Sequence, residues 1–167
     1  IIDEINKSME NECYIAALTL ALTLPDVCGK AEYPETTTSQ RYRDWYKEFA
    51  LPRFFDGEAP EESPFLSEKE IYKLRCSVFH QASSDIDPGV LKERSDFSKE
   101  NGPPKFILKV NKTIPGNLVF RTASIITNDS GKKETVVNEH CFETDLISLC
   151  TLLCHAAQRC YDANKNK

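Results

Sequence analysis

Apolar positions in the first part of the chain recur at Ile5, Met9, Cys13, Ala16, Ala17, Leu20 and Leu24, close to the 3.6-residue period of an amphipathic helix. Ile15, Leu18 and Leu22 widen the stripe, so the spacing predicts one helix over 2–24 with a deeply buried second half. Pro25 is expected to end or kink it, and Gly29 is a natural stop. The turn-rich stretch from Tyr33 to Thr38 precedes a second predicted helix over 39–50, with Tyr42, Trp45, Tyr46 and Phe49 on its buried face. An acidic, proline-containing run from Leu51 to Pro64 reads as an exposed loop. Ser67-Glu68-Lys69-Glu70 has the form of a capping box and opens a third helix over 67–80, with Ile71, Leu74 and Val78 turned inward.

From Ala82 to Pro104 the chain is polar and broken by Asp87-Pro88-Gly89 and Gly102-Pro103-Pro104, which predicts a long connection holding one short helix around Val90–Arg94. Beyond it the period changes to two. Phe106, Leu108 and Val110 alternate with Lys105, Ile107 and Lys109, and a second β-rich run covers 118–127. After the turn signal Asn128-Asp129-Ser130-Gly131, a third run covers 134–139. Short connections predict an antiparallel meander, or a long hairpin flanked by one more strand, as a β insertion over 105–139. A last helix over 144–164 carries the stripe Leu146, Leu149, Leu153, Ala157 and Cys160. The expected fold is one domain over 1–167, mainly α (α+β): a helical bundle with a small three-stranded antiparallel sheet inserted before its C-terminal helix.

Composition narrows the setting. The longest apolar-dominated run, Cys13 to Val27, is interrupted by Thr19, Thr23, Pro25 and Asp26. It falls short of the roughly 18–20 apolar residues of a membrane span. The opening Ile1-Ile2-Asp3-Glu4 lacks the basic flank of a signal peptide. Seven cysteines with scattered spacing, most of them inside apolar helical patterns, suit reduced thiols rather than a disulfide scaffold. The expectation is a soluble, cytoplasmic protein without a membrane partner. A net charge of −5 does not advertise nucleic-acid binding. The residues from Asn101 to His140 nonetheless carry +3, which suits either a polyanion-facing surface or a lysine-guarded sheet edge.

The candidate chemistry lies in Arg75-Cys76-Ser77-Val78-Phe79-His80. A guanidinium that stays charged beside an imidazole that titrates near neutrality is suited to phosphodiester chemistry. Residues five apart on a regular helix differ by about 140° around its axis, so Arg75 and His80 converge only if the helix breaks or a second copy faces the first. With the long apolar first helix ending Leu24-Pro25-Asp26-Val27-Cys28-Gly29 and the aromatic second helix, this R-x4-H element resembles the HEPN superfamily, in particular uncharacterised bacterial HEPN-type proteins with a β insertion. The resemblance implies a homodimer with two motifs lining one cleft, and metal-independent RNA cleavage by Arg75 and His80 in a toxin or antiviral-defence setting. It also implies RNA as substrate, and an antitoxin or nucleotidyltransferase-type chain as a further partner. No cofactor or metal is expected. Cys76 departs from the Asn, Asp or His that often follows the motif arginine, and cannot reproduce their hydrogen bonds.

Three neighbours are candidate accessory residues. Asp26 can orient Arg75 or His80 by an ion pair, or cap a local turn. Ser77 can donate to phosphate or bond back to its own helix, and Gln81 is similarly placed. Cys150, Cys154, His155 and Cys160 superficially suggest a metal site, but their apolar neighbours favour core packing. Cys76 and His80 have the spacing of a thiol–imidazole pair, without a third orienting residue. The four aromatics of the second helix suit either base stacking or core. The rival to the ribonuclease is a non-catalytic helical interaction or ligand-binding module in which Arg75 and His80 are structural.

Overall fold

The computed structural model describes residues 1–51, 66–86, 105–110, 120–122, 126–127, 133–134 and 140–165. Its helices are α1 (Ile2–Glu10), α2 (Tyr14–Ala21), α3 (Leu24–Glu32), α4 (Thr38–Trp45, continued by a π turn over Tyr46–Ala50), α5 (Glu68–Gln81) and α6 (Leu146–Asn164). The strands are β1 (Lys105–Lys109), β2 (Phe120–Thr122), β3 (Ile126–Thr127), β4 (Lys133–Glu134) and β5 (His140–Asp145). The described chain is mainly helical, as its periodicity predicts.

The single helix expected over 2–24 is three segments. Asn11 Nδ2 bonds back to the Lys7 carbonyl at 2.8 Å, and Glu12 turns left-handed at φ 59°, closing α1. A second break falls at Leu22–Thr23, where Thr23 Oγ1 donates to the Leu20 carbonyl at 2.6 Å. Pro25 begins α3 rather than ending a helix, because in the first turn its missing N–H leaves nothing unsatisfied. Ile15, placed by periodicity in the buried stripe, is 65% exposed. Gly29 lies within α3 rather than stopping it. There it lets α4 approach so closely that a Cβ would meet the Arg41 carbonyl oxygen at 3.0 Å.

The aromatic face of the second predicted helix is buried as expected. Tyr42, Trp45 and Tyr46 have no exposed surface, and Phe49 stacks on Trp45 with ring centres 5.8 Å apart. The two tyrosine hydroxyls are bonded: Tyr42 Oη donates to the Leu22 carbonyl at 3.3 Å and Tyr46 Oη to the Leu66 carbonyl at 3.1 Å, while the buried Trp45 Nε1 has no hydrogen-bond partner among the described residues. Such burial removes these rings as a stacking platform for bases. The predicted capping box is present, with Ser67 and Glu70 bonding each other's backbone amides at 3.3 and 2.7 Å.

The expected antiparallel meander is not what forms. The strand order is β1-β5-β2, with β1 parallel to β5 and β2 antiparallel to it, while β3 and β4 make a separate antiparallel pair. Of the run predicted over 134–139, only Glu134 is described as strand, in β4, and the long strand falls later, at β5. Alternation of apolar and polar residues reports that a strand exists, not which neighbour it joins or in which direction. β5 runs directly into α6, whose N-cap Asp145 accepts from the Ser148 amide at 2.8 Å. The predicted start at Thr144 therefore moves to Leu146. α6 is the core helix: Leu149, Cys150, Leu153, Ala156 and Cys160 are among its buried residues, and it packs on α1, α2, α3 and the π turn. Among the described residues no helix is long and apolar enough to cross a membrane. The loop expected over 51–64, apart from Leu51, and the short helix around Val90–Arg94 lie outside the described residues.

Candidate functional site

The site is organised by α5. Its capping box fixes where the helix starts, and burial of Ile71 and Leu74 fixes its rotation. Arg75 follows Leu74 toward α3, where Asp26 sits in the first turn. Asp26 Oδ2 accepts from Arg75 Nε at 3.1 Å and from Nη2 at 2.9 Å, with both side chains about one-fifth exposed. Asp26 Oδ1 is buried without a hydrogen-bond partner among the described residues. The Arg75 guanidinium also lies 5.1 Å from the ring centre of Phe79, one turn along the helix. Of the two roles open to Asp26 in the sequence, the ion pair to Arg75 is the one that forms.

Cys76 continues the cluster. Its thiol lies close enough to the Tyr72 hydroxyl and the Arg75 side chain to act on the ionisation of both. Tyr72 in turn meets Tyr42 edge-on, with ring centres 5.4 Å apart. Burial, then the neighbouring thiol, pushes the Tyr72 hydroxyl pKa above its ordinary value. Burial pushes Tyr42 well up, with the Asp26 charge adding to it. Burial of Arg75 works against its charge, but the Asp26 carboxylate outweighs this and the net shift is upward. The cluster therefore holds a fixed cation beside neutral hydroxyls.

His80 does not join it. α5 is unbroken through Gln81 and ends with Ala82 in the left-handed conformation at φ 50°, the Ala82 and Ser83 amides both donating to the Ser77 carbonyl. With no break between them, Arg75 and His80 point about 140° apart. His80 is exposed in the last turn, and the helix cap is made by backbone rather than by its imidazole. Ser77 and Gln81 come together instead, lining a cavity of about 360 Å³ with Lys73, Cys76, Ser83 and Asp85. Cys76 thus links that cavity to the Arg75 cluster.

Tyr72 and Phe79 are the supporting residues that motif spacing passes over. Their signal is four-residue spacing on one helix, Tyr72 to Cys76 and Arg75 to Phe79. On α6, Cys150 and Cys154 are buried in the core while His155 is exposed, and no group of metal-ligating side chains gathers among the described residues. Comparison with known protein families, characterised proteins and solved structures finds no match.

Proposed function

We propose that this chain is a metal-independent RNA endonuclease of the HEPN type, acting as a homodimer in which Arg75 of one copy and His80 of the other share a cleft. The observation that supports it is the division of labour on α5. Arg75 is held by Asp26 and Phe79 in one orientation, and His80 projects from another face into solvent. An arginine meant for a scissile phosphate works best when fixed beforehand, because no reorganisation is then needed as charge develops. A neutral His80 takes the proton of the RNA 2′-hydroxyl, whose oxygen attacks phosphorus. The 5′-oxygen leaves and takes a proton from an imidazolium, so the products are a cyclic phosphate and a free 5′-hydroxyl. Ser77 and Gln81, lining the adjoining cavity, contact the flanking nucleotide. The setting is cytoplasmic, in toxin or antiviral defence, with an antitoxin or nucleotidyltransferase-type chain as partner.

A second reading has an observation in its favour. The Asp26–Arg75 pair also ties α3 to α5, which is what a structural arginine does in a non-catalytic interaction or ligand-binding module. Cleavage of mixed single-stranded and structured RNA in excess EDTA separates the two. Chelator-resistant cleavage, lost in folded His80→Ala and Arg75→Ala, supports the ribonuclease. An inert wild type, with Arg75→Ala lowering the melting temperature, supports the module.

A further inference from the structure

Away from the Arg75 cluster, α3 and α6 pack together, and each carries a thiol one turn before its last residue. Glu32, the last residue of α3, accepts from Nδ2 of Asn164, the last residue of α6, at 2.6 Å. Four residues back on each helix, one turn in both cases, stand Cys28 and Cys160. The same Asn164 nitrogen donates to the Cys160 carbonyl at 2.9 Å and lies 3.8 Å from its Sγ. The Cys28 and Cys160 thiols lie close enough for Cys160 to help raise the pKa of Cys28. Both are free, Cys28 half-buried and Cys160 4% exposed.

We infer that Cys28 and Cys160 form an oxidisable pair, closed into an intramolecular disulfide by a small-molecule disulfide of the glutathione class. The Cys28 thiolate, the more accessible, attacks one sulfur of the oxidant, making a mixed disulfide and expelling one thiolate. The Cys160 thiolate then attacks the Cys28 sulfur, forming the protein disulfide and expelling the second. Two protein thiols lose two protons and two electrons, and the oxidant becomes two thiols. Burial, with Cys160 adding to it, pushes the Cys28 thiol up to about 11, so the first step is slow at neutral pH and gains about tenfold per pH unit. The bridge clamps α3, the helix that carries Asp26, to the core helix.

The test uses the purified chain in glutathione buffers of stepped oxidised-to-reduced ratio at mildly alkaline pH, followed by acid quench, alkylation and peptide mass mapping. The expected result is a Cys28–Cys160 linked peptide that rises with the ratio. A melting temperature several degrees above that of the reduced chain should accompany it, since the bridge spans a long stretch of sequence. Cys28→Ser should abolish both the link and the difference in melting. Cys28 remaining alkylated, or ending as a glutathione adduct with Cys160 still free, would overturn the inference. So would a melting difference that persists in Cys28→Ser. None of these readouts depends on RNA cleavage.

Discussion

A single carboxylate oxygen, Asp26 Oδ2, accepts two hydrogen bonds from Arg75, so α3 and the motif helix are joined through one part-buried charged pair. Removing either partner leaves the other charge poorly solvated. Asp26→Ala and Arg75→Ala should each cost about 2 kcal/mol, within the range for hydrogen bonds to charged groups. In urea denaturation the double variant should cost less than the sum of the singles, because the second change removes a charge already orphaned. Strict additivity would mean the pair is not coupled.

Among the described residues the exposed His80 side chain makes no hydrogen bond or ion pair. His80→Ala should change stability by less than about 0.5 kcal/mol, the usual range for surface substitutions. A loss comparable to that of Arg75→Ala in the same urea experiment would place the imidazole in a structural role.

Gly29 is a packing residue. A methyl group there would press on two Arg41 backbone atoms that cannot swing aside, the carbonyl oxygen at 3.0 Å and the carbonyl carbon at 3.3 Å, and would touch Trp45 Cβ at 3.5 Å. Gly29→Ala gains about 1 kcal/mol of helix propensity. Overpacking at about 1–3 kcal/mol should exceed that gain, so the variant should melt at a lower temperature. A higher melting temperature would show that α3 and α4 can move apart freely.

The pH dependence on the alkaline side has a definite sign. Burial pushes the Cys150 thiol up to about 12 and the Cys154 thiol to about 11, from an ordinary value of 9.0. Between pH 9 and 12 the unfolded chain loses protons that the folded chain keeps, so stability falls as pH rises. Each of the two thiols contributes a slope of up to about 1.4 kcal/mol per pH unit, Cys150 from about pH 9 to 12 and Cys154 from about pH 9 to 11. The stabilisation is fully present below pH 9. Urea midpoints at pH 8, 9.5 and 11 should decline steadily, and Cys150→Ala should flatten the decline while lowering the starting value.

Where the chain's pattern and its structure agree, a local interaction fixes both. Ser67 and Glu70 cap α5 using nearest-neighbour chemistry, and Tyr42, Trp45 and Tyr46 bury one helical face. The breaks at Asn11–Cys13 and Leu22–Thr23 are illegible because Met9, Ala16, Leu20 and Leu24 keep a helical phase across them, and phase carries no record of continuity. The parallel partner of β1 lies some thirty-five residues away, at Cys141 for Lys105, and no local alternation encodes such a choice. At the site, spacing indicated that Arg75 and His80 diverge on a regular helix, and α5 is regular. Asp26 as the partner of Arg75 is one of two readings in the sequence, and the fold decides it by bringing the first turn of α3 within reach of the Arg75 side chain. The nearness of Cys28 to Cys160 depends on non-local packing of α3 against α6 and leaves no mark in the spacing.

The core is closed from its far end. α6 contributes buried residues from Leu146 to Cys160 and touches helices made long before it, while β1 waits for β5 to supply its parallel neighbour. During synthesis, therefore, α1, α2, α3 and the π turn emerge with the apolar faces that α6 will cover still open to solvent. Cooperative folding must wait until residues near 160 clear the ribosome. For that interval the nascent chain is a client for holdases, and stalled or prematurely terminated products are marked for proteolysis by the face that α6 has not yet covered.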